Sequence, residues 1–336
     1  PTTWGHYLGA FIEILQRDVE RITVARSSSE LCSMGAAAIT TTGFNLDRKR
    51  MSDLLGFAAP LENSYGCISS VDYVTGLYSA LKVMFLNMGR FIQDLAQRSA
   101  FEVGHIYVPN EFVQISSIMP QKRNPVPIEH MRLIASLSSG HCDTIINTMH
   151  NTPFTDMNDS ETEVQRAGHQ AFESGSRLLL LLTDFINVVQ IDEEKVMKDI
   201  GKSCATITEV ADSIARIEGV SFKIAHEIAG DMAKRVTADE ITLEDFVYKE
   251  FQDIYRDHTG METNITIEKL KEIGSPEYFI AVRKIIGGPA LPAFEASLEK
   301  YCNIALKQSD ENLTFSRRLI FARELLTAAV KKLRVK

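Results

Sequence analysis

Apolar residues recur along this chain with a helical period. Trp4, Tyr7, Leu8, Phe11, Ile12, Leu15 and Ile22 fall near one face of a 3.6-residue repeat. The same spacing predicts helices over 1–31, 46–56, 68–102, 126–149 and 160–191. The longer ones would each run on the order of 35–50 Å, at about 1.5 Å of rise per residue. Helices of that length bury their apolar stripes only against neighbours. An all-α fold built on a long-helix bundle follows. Strand-like alternation is scarce, and Ile106–Val108 is its best instance.

Leu178–Leu182 is apolar around most of a helical turn. A helix without a polar face is enclosed on all sides. One bundle of four or five helices seldom encloses a helix so fully, whereas packing between subunits does. A homo-oligomer is therefore expected. After Asp192 the segments shorten, and breakers stand at Gly219, Gly260, Gly274-Ser275-Pro276 and Gly287-Gly288-Pro289. Short helices are expected at about 205–218, 221–234, 242–250 and 276–286, with a terminal helix in the charged tail from Ser309. The expected division is a long-helix bundle domain over 1–200 and a small helical C-terminal domain over 201–336.

Composition narrows the function classes. The net charge of −8 over 336 residues argues against a nucleic-acid partner, which needs a basic face. No apolar run approaches the roughly 20 residues that span a bilayer, so no membrane partner is expected. Five cysteines are scattered without a CxxC pair. That usage reads as reduced, buried thiols and a cytoplasmic protein.

Residues 116–125 read SSIMPQKRNP and fit neither a core strand nor a core helix. Asn124-Pro125 is a helix-start signal, with Asn as the N-cap of the helix over 126–149. Free backbone N–H groups at that helix end, with Lys122 and the Asn124 amide, make a carboxylate site. A serine hydroxyl beside such positive charge has a stabilised alkoxide and can abstract a proton. The matching chemistry is removal of a proton alpha to a carboxylate. Taken alone, the stretch also fits an ordinary capped turn with a surface Lys and Arg. His105 reads as structural rather than as a base. Glu129, in the first turns of the helix, either complements the helix dipole or orients a partner histidine.

The stretch resembles the signature loop of the fumarase/aspartase superfamily, Gly-Ser-Ser-x-Met-Pro-x-Lys-x-Asn-Pro. It matches at every fixed position except the leading Gly, which is Ile115. PTTWGHYL, GAAAITTTGFNLDR, VSFKIAHEIAG and IIGGPALPAFEASL resemble further stretches of the argininosuccinate lyase branch, in the same order. The resemblance implies Ser116 as catalytic base, with Ser117 beside it. It implies Lys122 and Asn124 as the groups that hold the substrate carboxylates and stabilise an aci-carboxylate. Glu129 matches the acid that pairs with the family's histidine. That histidine's element would fall just before Pro1, so the family's N-terminal domain is expected to lie outside this sequence. Arg48 matches a recurrent arginine that supports the turn.

What the resemblance implies is a carbon–nitrogen lyase that cleaves an N-substituted aspartate to fumarate and an amine. Its substrate is a small anion, and it uses neither metal nor organic cofactor. Its assembly is a homotetramer with a 20-helix core. One stretch departs from the branch. Where argininosuccinate lyases carry Asp-Leu-Gln-Glu-Asp-Lys, this chain has Asp156-Met157-Asn158-Asp159-Ser160-Glu161, and the family's nearby Tyr falls on Pro153. Asn158 is expected among the residues that hold the substrate. Glu161 in place of a lysine leaves room for another aminopolycarboxylate. A fumarase-type lyase and a crystallin-like structural protein are the remaining alternatives. Ser116, Lys122 and Asn124 together argue against the structural role, and GGPALPAF and AHEIAG argue against the fumarase type.

Overall fold

The computed structural model describes residues 1–157, 162–239, 241–243 and 245–334, and it is all-α. In chain order the helices are α1 (Trp4–Ser29), α2 (Arg48–Leu55), α3 (Gly66–Ser69), α4 (Asp72–Ser99), α5 (Val126–Met149), α6 (Thr162–Val188) and α7 (Glu193–Lys202). Then follow α8 (Ile207–Glu218), α9 (Phe222–Ala238), α10 (Tyr248–Thr259), α11 (Ile267–Gly274), α12 (Pro276–Ala281) and α13 (Leu291–Arg334). Three two-residue strand pairings and a 3-10 helix, Asn110–Phe112, complete the secondary structure among the described residues. β1 (Leu31–Cys32) runs parallel to β2 (Ala59–Pro60). β3 (Ile106–Tyr107) pairs antiparallel with β6 (Gln190–Ile191), and β4 (Gln114–Ile115) with β5 (Arg123–Asn124).

The chain divides into two compact units. One comprises residues 1–10, 101–107 and 190–300, and the other 11–100, 108–189 and 301–336. This differs from a single cut at residue 200. The tail is one reason: α13 is one helix of 44 residues that starts at Leu291, not at Ser309. Its segment from Tyr301 groups with the long helices. There Gln16 donates to Tyr301 O at 2.8 Å, and Glu30, just after α1, is bonded to both Arg26 and Arg318.

In the long-helix unit α4 packs against α5, and α5 against α6. Phe85, Met88, Ile92 and Leu95 supply the buried stripe of α4, and Ile128, Met131, Ala135, Cys142 and Ile145 that of α5. Both follow the i, i+3, i+4, i+7 spacing of a core-facing helix. Gly168 and Gly175, seven residues apart on α6, receive Tyr78 and Phe85, seven apart on α4. A Cβ on either glycine would collide with the facing ring. Burial pushes the Cys142 thiol up to about 12, helped by the neighbouring Asp143 carboxylate. Cys32 and Cys204 are buried too, but Cys67 is half-buried and Cys302 exposed, unlike the uniformly buried set expected.

The other unit has its own core. Ile214, Ile228, Met232, Phe251, Tyr255 and Ile273, from α8 to α11, are almost fully enclosed. The breakers work as helix stops: Gly219 and Gly260 close α8 and α10 with φ of 69° and 71°, where a Cβ would be strained. Helix α10 falls at 248–259 rather than 242–250. α7 and α11 are short helices that the hydrophobic pattern did not separate.

Candidate functional site

β4 and β5 form the neck of a hairpin, and residues 116–122 form its loop. Register pairs Gln114 with Asn124 and Ile115 with Arg123. Ser116, Ser117, Lys122 and Asn124 therefore all sit on this one hairpin, immediately before α5. The helix expected over 126–149 starts at Val126, so the loop is delivered by a long, packed element.

Ser116 stands at the shoulder of the loop and is half-buried. Its Oγ accepts from the backbone N–H of Ile118 at 3.3 Å and of Met119 at 3.1 Å. A short hydroxyl side chain at the start of a turn bonds the amides two and three residues on. Met119 O in turn accepts the Lys122 N–H at 3.0 Å, which closes the loop. Two N–H dipoles on one oxygen favour the anionic form of that oxygen. Ser117 and Lys122 are exposed. Among the described residues neither the Lys122 ammonium nor the Glu129 carboxylate has a hydrogen-bonding or ionic side-chain partner. Glu129 lies exposed in the first turn of α5, where its charge complements the helix dipole.

Asn124 does not cap α5. Pro125 takes the cap position, with φ −78° and ψ 69° and no side-chain cap bond. The Asn124 amide instead donates to Gln114 O at 3.2 Å across the neck. Pairing in β5 holds Asn124 extended and turns its amide to the opposite strand. Ile128 N–H and Glu129 N–H bond Pro125 O, so the helix opens on a backbone turn alone.

Asn158 and Glu161 lie outside the described residues. The segment leading to them is tied down: Phe154 stacks on Tyr65, whose hydroxyl donates to Phe154 O at 3.1 Å. Asp156 and Met157 border a cavity of about 370 Å³ shared with Cys67, Tyr73, Tyr78 and Gln165. A more apolar cavity of about 280 Å³, walled by Val19, Met84, Phe85 and Phe172, contains none of the hairpin residues. Neither cavity is lined by a hairpin residue.

Two other residues have structural partners. His105 Nε2 lies 3.0 Å from Asp199 Oδ2. Bonds from His105 and then Lys195 hold the Asp199 carboxyl below the usual range. Arg48 donates to Met34 O at 3.0 Å and reaches Cys67 Sγ at 3.3 Å, bracing the Gly/Thr-rich turn. Gly35 of that turn has φ 87°, and a Cβ there would lie 2.9 Å from Arg48 Cγ. The sequence reading passed over Arg123, which bonds Val108 and Asn110. Its signal was its position between Lys122 and Asn124 in the loop.

A family model described as Lyase matches residues 1–138, and one described as Argininosuccinate lyase C-terminal matches residues 204–281. Argininosuccinate lyase 2 of Agrobacterium fabrum is 54% identical over 317 residues, covering 90% of this chain and 63% of the relative. Argininosuccinate lyase of Methanothermobacter thermautotrophicus is 29% identical over 300 residues, covering 89% of this chain and 64% of the relative. The chain thus spans a little under two thirds of the length of these relatives. Among solved structures, EDDS lyase in complex with formate superposes with a TM-score of 0.89 at 24% identity. That match covers 99% of this chain and 66% of the other. A 3-carboxy-cis,cis-muconate lactonizing enzyme from Pseudomonas putida superposes with a TM-score of 0.66 at 17% identity, covering 91% of this chain and 64% of the other. With its signature loop, its fold and these relatives in agreement, the chain belongs to the fumarase/aspartase superfamily, on the argininosuccinate lyase-like branch.

Proposed function

We propose that the protein is a carbon–nitrogen lyase that cleaves an N-substituted aspartate into fumarate and an amine. The observation that carries this reading is the Ser116 hydroxyl held on two backbone N–H groups in the loop that presents Lys122 and Asn124. The Ser116 alkoxide removes the Cβ proton. The electron pair moves into the adjacent carboxylate, giving a dianion that Lys122 and the Asn124 amide stabilise. The C–N bond then breaks, its electron pair leaves on nitrogen, and the amine takes up a proton. General-base action of this kind contributes about 10²–10⁴ in rate. Glu129 acts at one remove, by orienting the group that serves the departing nitrogen.

Argininosuccinate lyase 2, by its name, acts on argininosuccinate. Glu161, where that branch carries lysine, favours a second reading in which the amine belongs to another aminopolycarboxylate. Asn158 is assigned to substrate binding on the resemblance alone. The assembly we propose is a cytoplasmic homotetramer with a shared helical core. Leu133 and Leu137 on α5, Leu180 on α6, and Leu306, Leu313 and Ile320 on α13 are exposed on the chain, Leu180 by 67% and Leu306 by 68%. Apolar surface on that scale is covered in a stable protein. No helix among the described residues is long and apolar enough to cross a membrane. The reverse reaction tests the activity directly: fumarate and a panel of amines are incubated with the protein and searched for adducts by mass.

A further inference from the structure

The signature loop has a narrow base. Two paired residues on each side form the neck, and seven residues hang from it. Two-residue strands give such a hairpin little stiffness of its own. Across the neck the Asn124 amide adds one bond, to Gln114 O. A second device works at longer range. The Arg123 guanidinium leaves β5 and crosses to the chain upstream of β4. There Nη2 donates to Val108 O at 2.6 Å, and Nη1 donates to Asn110 Oδ1.

Those acceptors are well founded. Val108 is 5% exposed. Asn110 opens a 3-10 turn, Asn110–Phe112, that is closed by Phe112 N–H on Pro109 O at 3.0 Å. Arg123 thus ties the far limb of the hairpin to a rigid point in the near limb, 15 residues back. Its neighbours in the sequence are Lys122 and Asn124. A guanidinium fits this task because its planar fork reaches two acceptors at once, whereas an ammonium is a single point charge.

We infer that Arg123 is the positioning residue of the site: it sets where Lys122 and Asn124 stand relative to Ser116. The inference rests on the elimination proposed above for its catalytic consequence, but not for its structural one. Ser116 takes its amide bonds from Ile118 and Met119 inside the loop, so loss of Arg123 leaves those bonds in place. What moves is the limb that binds carboxylate and stabilises the dianion. Misplacement by about 1 Å costs about 10²-fold in rate.

The test uses the full-length protein with Arg123→Gln, Arg123→Lys, Asn110→Ala and the double variant Arg123→Gln/Asn110→Ala. Hydrogen exchange of the Lys122, Arg123 and Asn124 amides, in the limb that moves, reads the tether without any substrate. Arg123→Gln is expected to speed exchange at least tenfold there and to leave α5 and α9 unchanged. Asn110→Ala is expected to act in the same direction, with the double variant close to Arg123→Gln alone. Kinetics of amine addition to fumarate read the consequence. KM for fumarate should rise and kcat fall, together lowering kcat/KM by about 10–100-fold, while the pH profile of kcat keeps its shape. Arg123→Lys should recover part of the loss. Unchanged exchange in Arg123→Gln overturns the inference, and so does exchange that rises with kcat/KM intact. If the wild-type protein joins no amine to fumarate, the elimination reading fails, and the exchange data still decide whether Arg123 holds the loop.

Discussion

The close approach of α4 and α6 makes a sharp prediction at Gly175. An ideal Cβ placed there would stand 2.5 Å from Phe85 Cζ and 2.8 Å from Cε1. Carbon atoms in contact settle at about 3.5–4.0 Å, so Gly175→Ala asks the ring to retreat by about 1 Å. Phe85 is 2% exposed. Overpacking of this kind costs about 1–3 kcal/mol. Against it stands the gain of about 1 kcal/mol when alanine replaces glycine inside a helix. The net expectation is a loss of about 1 kcal/mol in the wild-type background. Phe85→Leu removes the obstructing ring, and the helix preference then acts alone. In that background Gly175→Ala should stabilise by about 1 kcal/mol, a coupling of about 2 kcal/mol between the two sites. Urea unfolding followed by circular dichroism at one fixed protein concentration measures all four proteins. With a slope of about 3 kcal/mol/M, each step moves the midpoint by about 0.3 M, in opposite directions for the two backgrounds. An equal effect of Gly175→Ala in both backgrounds would refute the packing argument.

Two further outcomes are expected. Burial works to raise the Glu218 carboxyl, but bonds from Thr263, Asn264 and the backbone N–H of Asn264 and Ile265 outweigh it and hold the group below its usual range. A lowered carboxyl stabilises the fold above its unfolded value of 4.5 and loses that effect as pH falls through the folded value. Glu218→Gln should therefore destabilise at pH 7 by about 1–3 kcal/mol, and the gap from wild type should shrink below pH 4.5 in paired unfolding curves; a gap that widens with acid would contradict the sign. Light scattering at micromolar concentration should give the mass of a tetramer, and a stable monomer would leave the exposed leucines of α5, α6 and α13 unexplained.

Much of the fold was legible because long amphipathic helices write a strong period. Helix α5 was placed to the residue, because Pro125, Pro127 and the apolar positions from Ile128 agree. The long C-terminal helix was not, because apolar and charged positions are mixed around α13 rather than gathered on one face, so no stripe marks its start at Leu291. The loop residues were legible as a motif, while their bonding was not. Asn124 precedes a proline and a helix, which is the pattern of a cap, yet strand pairing with Gln114 decides its conformation. The reach of Arg123 to Val108 and Asn110 depends on how the hairpin folds back, which local sequence does not encode. The discontinuous units have the same origin, since residues 1–10 and 301–336 join partners far away in the sequence.

The central claim is that Ser116 moves the proton in a reaction that joins or separates an amine and fumarate. Full-length wild-type protein and Ser116→Ala are incubated with fumarate and a panel of primary amines and diamines, and products are read by mass spectrometry. The wild type is predicted to form an adduct whose mass is the sum of fumarate and one amine. Ser116→Ala should form it at least about 10³-fold more slowly, with its oligomer mass unchanged. No adduct with any amine, or a Ser116→Ala variant that keeps more than about a tenth of the wild-type rate, would contradict the account.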